Sequence, residues 1–257
     1  MVQQWPSELY GSGYQGVRAI WSLTSPRSGT LYLAWLLDHC AGLKAAHEPH
    51  PVLLMEGRRA LEGDELDSEG AKRLIYTARV GLVEHAYYCR STYVEISCSL
   101  THLAPAIKAA FPESRYVHLI RRPQEYVTSC LAQGFFSEGP RSHYWPMWEG
   151  LEPWQRAVRY WALTHRRALE LEQEWGSETV YRQRAEDLWR EGDALEQLLR
   201  WVAGVPDGVQ LAGCGRHRGT WGGPRNASTQ KPLWDPEWDE YLRDEAGDVM
   251  EEVGYGW

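Results

Sequence analysis

Apolar positions along this chain keep two rhythms. Val17 to Trp21 is a short run with β-branched and aromatic character, and it predicts a strand over Val17–Thr24. Beyond it Leu33, Leu36, Leu37 and Cys40 recur at helical spacing and predict a helix over Gly29–Cys40. The alternation then repeats. Short strands are predicted at Leu43–Ala46, Thr92–Ile96, Arg115–Ile120 and Glu178–Arg182. Helices are predicted at Ala71–Arg90, Ala104–Phe111, Gln124–Ala132, Trp154–Trp175 and Ala194–Ala203, with a last one inside Trp234–Val253. Between them lie an extended turn at His47–Pro51, forced by its two prolines, and an acidic loop at Glu62–Glu69. Gly134–Pro153 is irregular and Trp-rich, and Gly213–Lys231 is Gly-rich and basic. Strands that alternate with helices predict an α/β fold with a central, mostly parallel sheet flanked by helices. Too little chain follows Gly213–Lys231 for a second domain, so one domain over 1–257 is expected.

Composition narrows the functional classes. No apolar run is long enough to cross a membrane. Met1–Pro6 lacks the basic-then-apolar pattern of a secretory signal, so a cytoplasmic protein is expected and the glycosylation sequon at Asn226-Ala227-Ser228 is set aside. The cysteines number 5, an odd count without CxxC spacing, which points to reduced thiols rather than a disulfide framework or a zinc site. The net charge of −8 argues against bulk nucleic-acid binding, so an anionic ligand needs a locally basic pocket. The Trp-rich stretch His143–Trp154 reads first as packing and second as a wall for an aromatic or lipid-like acceptor.

Two constellations carry candidate chemistry. The first is the loop Pro26-Arg27-Ser28-Gly29-Thr30 between the first strand and the first helix. A helix N-terminus presents unpaired N–H groups and the positive end of the dipole. Gly29 lets the backbone approach an anion, Ser28 and Thr30 add hydroxyls, and Arg27 adds a permanent charge with a planar fork of donors. No Lys precedes Thr30, so this is not a Walker A loop, and no Asp at a strand end offers itself for magnesium. Both absences disfavour a nucleotide kinase. The second constellation is Tyr116–Ser129, again strand, turn, helix. Arg121 stands at the strand end, Arg122-Pro123 opens the helix, and Ser129 follows Arg121 by 8 residues. A guanidinium and a hydroxyl so spaced suit a second phosphate.

Together these motifs resemble the sulfotransferases that use 3′-phosphoadenosine 5′-phosphosulfate. Pro26-Arg27-Ser28-Gly29-Thr30-Leu31 is similar to their 5′-phosphosulfate loop, and Arg121 with Ser129 to their 3′-phosphate motif. Arg216-His217-Arg218-Gly219 looks like the basic C-terminal loop that completes the 3′-phosphate site, and Gly254-Tyr255 like a tail of bacterial members. Two positions depart: Arg27 stands where cytosolic small-molecule members have Lys, and is closer to the tyrosylprotein-type and many bacterial members, and Leu31 replaces a second Thr. The resemblance implies a P-loop-like three-layer domain. It implies sulfuryl transfer to a hydroxyl acceptor without a metal, leaving adenosine 3′,5′-bisphosphate. The acceptor would be a small molecule, sugar or lipid-like alcohol more readily than a protein.

Sulfuryl transfer needs a cation for the leaving group and a base for the acceptor hydroxyl. Arg27 is the expected cation. In tyrosylprotein-type and several bacterial members the base is a Glu at about the interval that separates Arg27 from Glu48, which makes Glu48 the leading base. His47, His102 and Glu95 are the alternatives, with His47 first because its usual pKa suits the task untuned. A P-loop phosphotransferase, or a non-catalytic nucleotide-binding protein of the same fold, is the competing reading.

Overall fold

Segments that are apolar on both faces cannot lie against water, and here they stack edge to edge. A computed structural model of the chain describes residues 19–63, 68–139, 144–189, 193–204 and 232–256. Within them β1 (Ala19–Thr24), β2 (Leu43–His47), β3 (Thr92–Ile96), β4 (Arg115–Ile120) and β5 (Val180–Arg184) form one sheet. Its order is β2-β3-β1-β4-β5 and every pairing is parallel. Every residue of the central strand β1 is buried, as a strand covered on both faces requires.

The alternation of side chains along β1 separates two cores. Ile20 joins Val94, Ile96, Val117 and Leu119 beneath α1 (Thr30–Asp38) and α8 (Ala194–Ala203). Ala19, Trp21 and Leu23 face the other way, onto α3 (Ser68–Tyr88), α4 (Ala104–Ala110) and the C-terminal half of α6 (Pro153–Trp175). The result is the expected three-layer α/β arrangement. A third cluster joins α5 (Pro123–Leu131), the N-terminal half of α6 and α9 (Asp239–Glu252), and it takes in Phe136 and Trp145. Trp145 packs on Phe135, Phe136 and Tyr160, and Trp154 stacks on Trp238, so the described part of the Trp-rich segment serves packing. None of the described helices is long and apolar enough to cross a membrane.

One predicted strand shifts, and two short helices are new. The strand predicted at Glu178–Arg182 begins two residues late, at Val180, because α6 ends at Gly176 and the amides of Thr179 and Val180 turn back onto the Gly176 carbonyl. Arg182 and Arg184 fit this edge strand because their guanidiniums reach Glu172 and the carbonyls that end α9. The short helices α2 (Leu54–Leu61) and α7 (Ala185–Trp189) have no counterpart in the sequence reading. In α2 the only fully buried residue is Gly57, on whose position a Cβ would collide with the Ser99 carbonyl; a helix that packs through a glycine leaves no apolar stripe.

The sheet also creates the crevice. β1 and its neighbour β3 send their following helices, α1 and α4, to opposite faces, which opens a gap at their carboxyl ends. Their pairing runs from Ala19↔Tyr93 to Trp21↔Glu95. Beyond it, the Ser97 amide donates to Ser22 Oγ at 2.8 Å and the Thr24 amide to Thr101 Oγ1 at 2.9 Å. Side-chain hydroxyls thus satisfy the backbone where the strands part.

Candidate active site

At the carboxyl end of β1 the chain makes the loop Ser25–Gly29. Arg27 (φ 61°) and Gly29 (φ 89°) are both left-handed, a conformation that glycine adopts freely and arginine does not. Gly29 is the N-cap of α1, and no side chain caps that helix. Its first-turn N–H groups therefore face the crevice without the usual Ser, Thr or Asp oxygen. Ser25 and Ser28 are buried, with their Oγ atoms 3.0 Å apart.

The second constellation meets the first at Arg27. Arg27 Nε donates to Ser129 Oγ at 3.0 Å, and Arg121 Nη1 donates to the Arg27 carbonyl at 2.8 Å. Arg121 also binds Glu125 Oε2, through Nη2 at 2.9 Å and Nε at 3.3 Å. These contacts hold Arg27 in a backbone conformation that costs on the order of 1–3 kcal/mol. Burial lowers the pKa of Arg27; the Cys130 thiol opposes the shift and the neighbouring Arg121 charge adds to it. A half-buried guanidinium beside a second one is a place where an anion gains more than it does in water. Arg122 caps α5 with Pro123 in its first turn, as the sequence predicts.

On the β2 side, His47 Nε2 shares a hydrogen bond with Thr30 Oγ1 at 3.0 Å. Burial lowers its pKa, with the Glu48 charge opposing. Glu48 is left-handed (φ 45°), and its amide donates to the Ile96 carbonyl at 3.4 Å. Its Oε1 accepts a hydrogen bond from Cys98 Sγ at 3.1 Å. Burial and the Glu48 carboxylate raise the Cys98 pKa, so the thiol keeps its proton and donates it. The buried Tyr160 hydroxyl is raised by burial first, and then by groups that include Cys98 and Glu48. The crevice thus carries a cationic, hydroxyl-rich loop on one side and a carboxylate held by a thiol on the other.

No protein-family model matches the chain, and no curated protein matches it in sequence. Solved structures do match. The sulfotransferase domain of the Synechococcus PCC 7002 olefin synthase superposes with a TM-score of 0.61 at 18% identity, over 96% of this chain and 98% of that one. The chain has the sulfotransferase fold. The sulfotransferase domain of the curacin biosynthetic pathway follows with a TM-score of 0.56 at 18% identity, over 93% of this chain and 98% of that one. Sulfotransferase STF9 from Mycobacterium avium gives 0.51 at 16% identity, over 91% of this chain and 76% of that one.

Within this sulfotransferase fold two further candidate bases remain, Glu95 and His102. Glu95 is fully buried and takes a bidentate contact from Arg79, at 2.6 and 3.0 Å, and a third from the Tyr93 hydroxyl at 2.9 Å. A carboxylate so enclosed has no access to an acceptor. His102 follows β3 in a short 3₁₀ turn; burial, with the Arg167 charge adding, lowers its pKa to about 4. Arg216, His217, Arg218 and Gly219 lie outside the described residues, as does Asn226. Among the described residues no three His, Cys, Asp or Glu side chains gather to hold a metal ion.

The sequence reading missed Cys98, and it missed His165, whose Nε2 lies 3.1 Å from Ser25 Oγ. Signals for both existed. Ser97-Cys98-Ser99 is polar sequence directly after a core strand, where parallel sheets gather their ligands. His165 is a polar residue on the apolar face of α6.

Proposed function

We propose that the chain transfers a sulfuryl group from 3′-phosphoadenosine 5′-phosphosulfate to a hydroxyl acceptor. One observation carries this reading: two phosphate-type motifs distant in sequence meet on one residue, Arg27, through Ser129 at 3.0 Å and Arg121 at 2.8 Å. The sulfotransferase fold of the whole described chain is consistent with it.

The residues fit the nucleotide. The uncapped N-terminus of α1, with Pro26, Arg27, Ser28, Gly29 and Thr30 leading into it, would hold the 5′-phosphosulfate. Arg121 and Ser129 would hold the 3′-phosphate, joined by Arg216, Arg218 and Gly219 of the basic loop. The nucleotide supplies the activated sulfuryl group. Arg27 stabilises the charge that grows on the departing phosphate; it keeps its proton and acts as an electrostatic group. Glu48 Oε receives the acceptor's hydroxyl proton, and the Cys98 S–H orients that carboxylate. His47 positions Thr30. The site's own groups supply charge, orientation and a base, and no step requires a metal. The acceptor is a small alcohol, phenol, sugar or lipid-like molecule.

Labelled 3′-phosphoadenosine 5′-phosphosulfate offered with alcohols, phenols, sugars and tyrosine peptides tests the reading. Label passes to one class of acceptor, and does so without magnesium. Transfer of the γ-phosphoryl group of ATP in its place, dependent on magnesium, would make the chain a phosphotransferase.

Arg121→Ala tests the 3′-phosphate assignment. It removes a charge-assisted contact of roughly 1.5–3 kcal/mol. Affinity for adenosine 3′,5′-bisphosphate then falls about 10- to 150-fold. Glu125, the partner left behind, is half exposed and is resolvated readily. Unchanged affinity in a folded variant would move the role to Arg122.

A further inference from the structure

The hydroxyls of the anion loop are tied to a buried chain of polar groups that sulfuryl transfer does not call upon. Ser28 Oγ lies 3.0 Å from Ser25 Oγ, Ser25 Oγ 3.1 Å from His165 Nε2, and His165 Nδ1 2.9 Å from His118 Nε2. His118 Nδ1 faces Glu172 Oε2 at 3.6 Å, and that carboxylate accepts from Arg182 Nε at 3.0 Å. Both histidines are fully buried. His118 stands on β4 between Leu23 of β1 and Arg182 of β5, and α6 covers it with His165 and Glu172. Arg182 is held in turn by Glu252 of α9. His165 has Trp161 as its other ring neighbour. The charged groups that face the pair are therefore Glu172 and Arg182.

The direction of the hydrogens along this chain decides what Ser28 offers a ligand. With both imidazoles neutral, Glu172 draws the His118 proton to Nδ1. Nε2 is then a lone pair and accepts from His165 Nδ1–H. His165 Nε2 accepts from the Ser25 hydroxyl, and Ser25 Oγ accepts from Ser28. Every donor points inward, away from the crevice. One added proton reverses the row. His118 then carries both N–H groups and donates to His165 Nδ1, His165 Nε2–H donates to Ser25, Ser25 donates to Ser28, and the Ser28 hydroxyl points outward. The balance is one proton gained from solvent: Ser28 takes it up and passes its own to Ser25, Ser25 passes its own to His165 Nε2, and the His165 Nδ1 proton moves to His118 Nε2.

We propose that His118 and His165 are positioning residues that couple anion binding at the loop to uptake of one proton: an anion of the sulfate or phosphate type draws the proton onto His118, and the Ser25 and Ser28 hydroxyls turn toward the anion. This rests on the loop being the anion site of the proposed function. Burial holds both histidines below their usual pKa, with Glu172 opposing the shift at His118, so the unliganded pair is neutral near pH 7. The bound anion raises the pKa of His118. Affinity is therefore greatest at low pH and is lost as pH rises through the raised, bound-state value.

Adenosine 5′-phosphosulfate is the probe, because its phosphosulfate has no proton that titrates near neutrality. Calorimetric titration in two buffers of different ionisation enthalpy counts the protons taken up. The wild type shows net uptake of a fraction of a proton, and its affinity falls about tenfold from about pH 5.5 to 8.5. His118→Gln keeps an amide directed at His165 but accepts no proton; binding persists and the uptake disappears. Glu172→Gln, at a half-buried site, diminishes the uptake too, and it serves if His118→Gln fails to fold. His47 also touches the loop, through Thr30. Uptake unchanged in both variants would assign the proton to His47 and overturn the proposal, as would pH-independent wild-type binding without uptake. Wild type that binds neither this nucleotide nor inorganic sulfate would overturn the proposed function itself.

Discussion

Glu48→Gln lowers turnover by about 10²–10⁴, the usual contribution of a positioned base, and leaves affinity for adenosine 3′,5′-bisphosphate within a few-fold. The split follows from the geometry. The Arg27, Ser129 and Arg121 cluster lies on the β1 and β4 side, whereas Glu48 follows β2 and contacts Cys98. The amide of Gln keeps an oxygen for the Cys98 S–H to donate to, so the variant loses basicity without losing its anchor. His47→Ala has a smaller effect, through the lost contact to Thr30. Turnover and nucleotide affinity measured on both variants check this. If His47→Ala abolishes turnover and Glu48→Gln remains active, the base is the imidazole.

Arg79→Ala destabilises the fold by about 3–5 kcal/mol, because it leaves the Glu95 carboxylate buried and unpaired. Arg79 and Glu95 are 1% and 0% exposed, on α3 and β3, and only the Tyr93 hydroxyl remains to the carboxylate once the guanidinium is gone. For a chain of this size the melting temperature falls by about 6–20 °C, at roughly 2–4 °C per kcal/mol. Replacing both partners together, Arg79→Met with Glu95→Leu, recovers most of the loss, as exchange of a buried ion pair for apolar side chains commonly does. The double variant also retains turnover at permissive temperature, since Glu95 takes no part in the chemistry. A single variant that melts with the wild type, or a double variant that is folded and inactive, would contradict this assignment.

What the sequence made legible was local. β3 and β4 are found at the residues predicted, Thr92–Ile96 and Arg115–Ile120, because a buried parallel strand is a continuous apolar run with turn residues at both ends. α2 and α7 escaped because short helices that pack through a glycine or through a few residues carry no full apolar stripe. In the candidate site, Pro26–Thr30 could be read because its residues are consecutive. The contact between Arg27 and Ser129 joins residues 102 apart, Cys98 and Glu48 are 50 apart, and Ser25 and His165 are 140 apart. Spacing along a chain does not encode such pairs; the sheet order does, since it brings the ends of β1, β3 and β4 together. Glu95 illustrates the converse. Its position in a core strand made it a candidate base, and the guanidinium that occupies it comes from the middle of α3.

Thermal denaturation with adenosine 3′,5′-bisphosphate and with adenosine 5′-phosphate, each at matched concentration, tests the central claim most directly. The two nucleotides differ by the 3′-phosphate that Arg121 and Ser129 are assigned to hold. At about 100 times its dissociation constant the bisphosphate stabilises the native state by about 2.7 kcal/mol. This raises the melting temperature by roughly 5–10 °C. The monophosphate gives a much smaller shift. Equal shifts from both nucleotides, or none from either, would contradict the account.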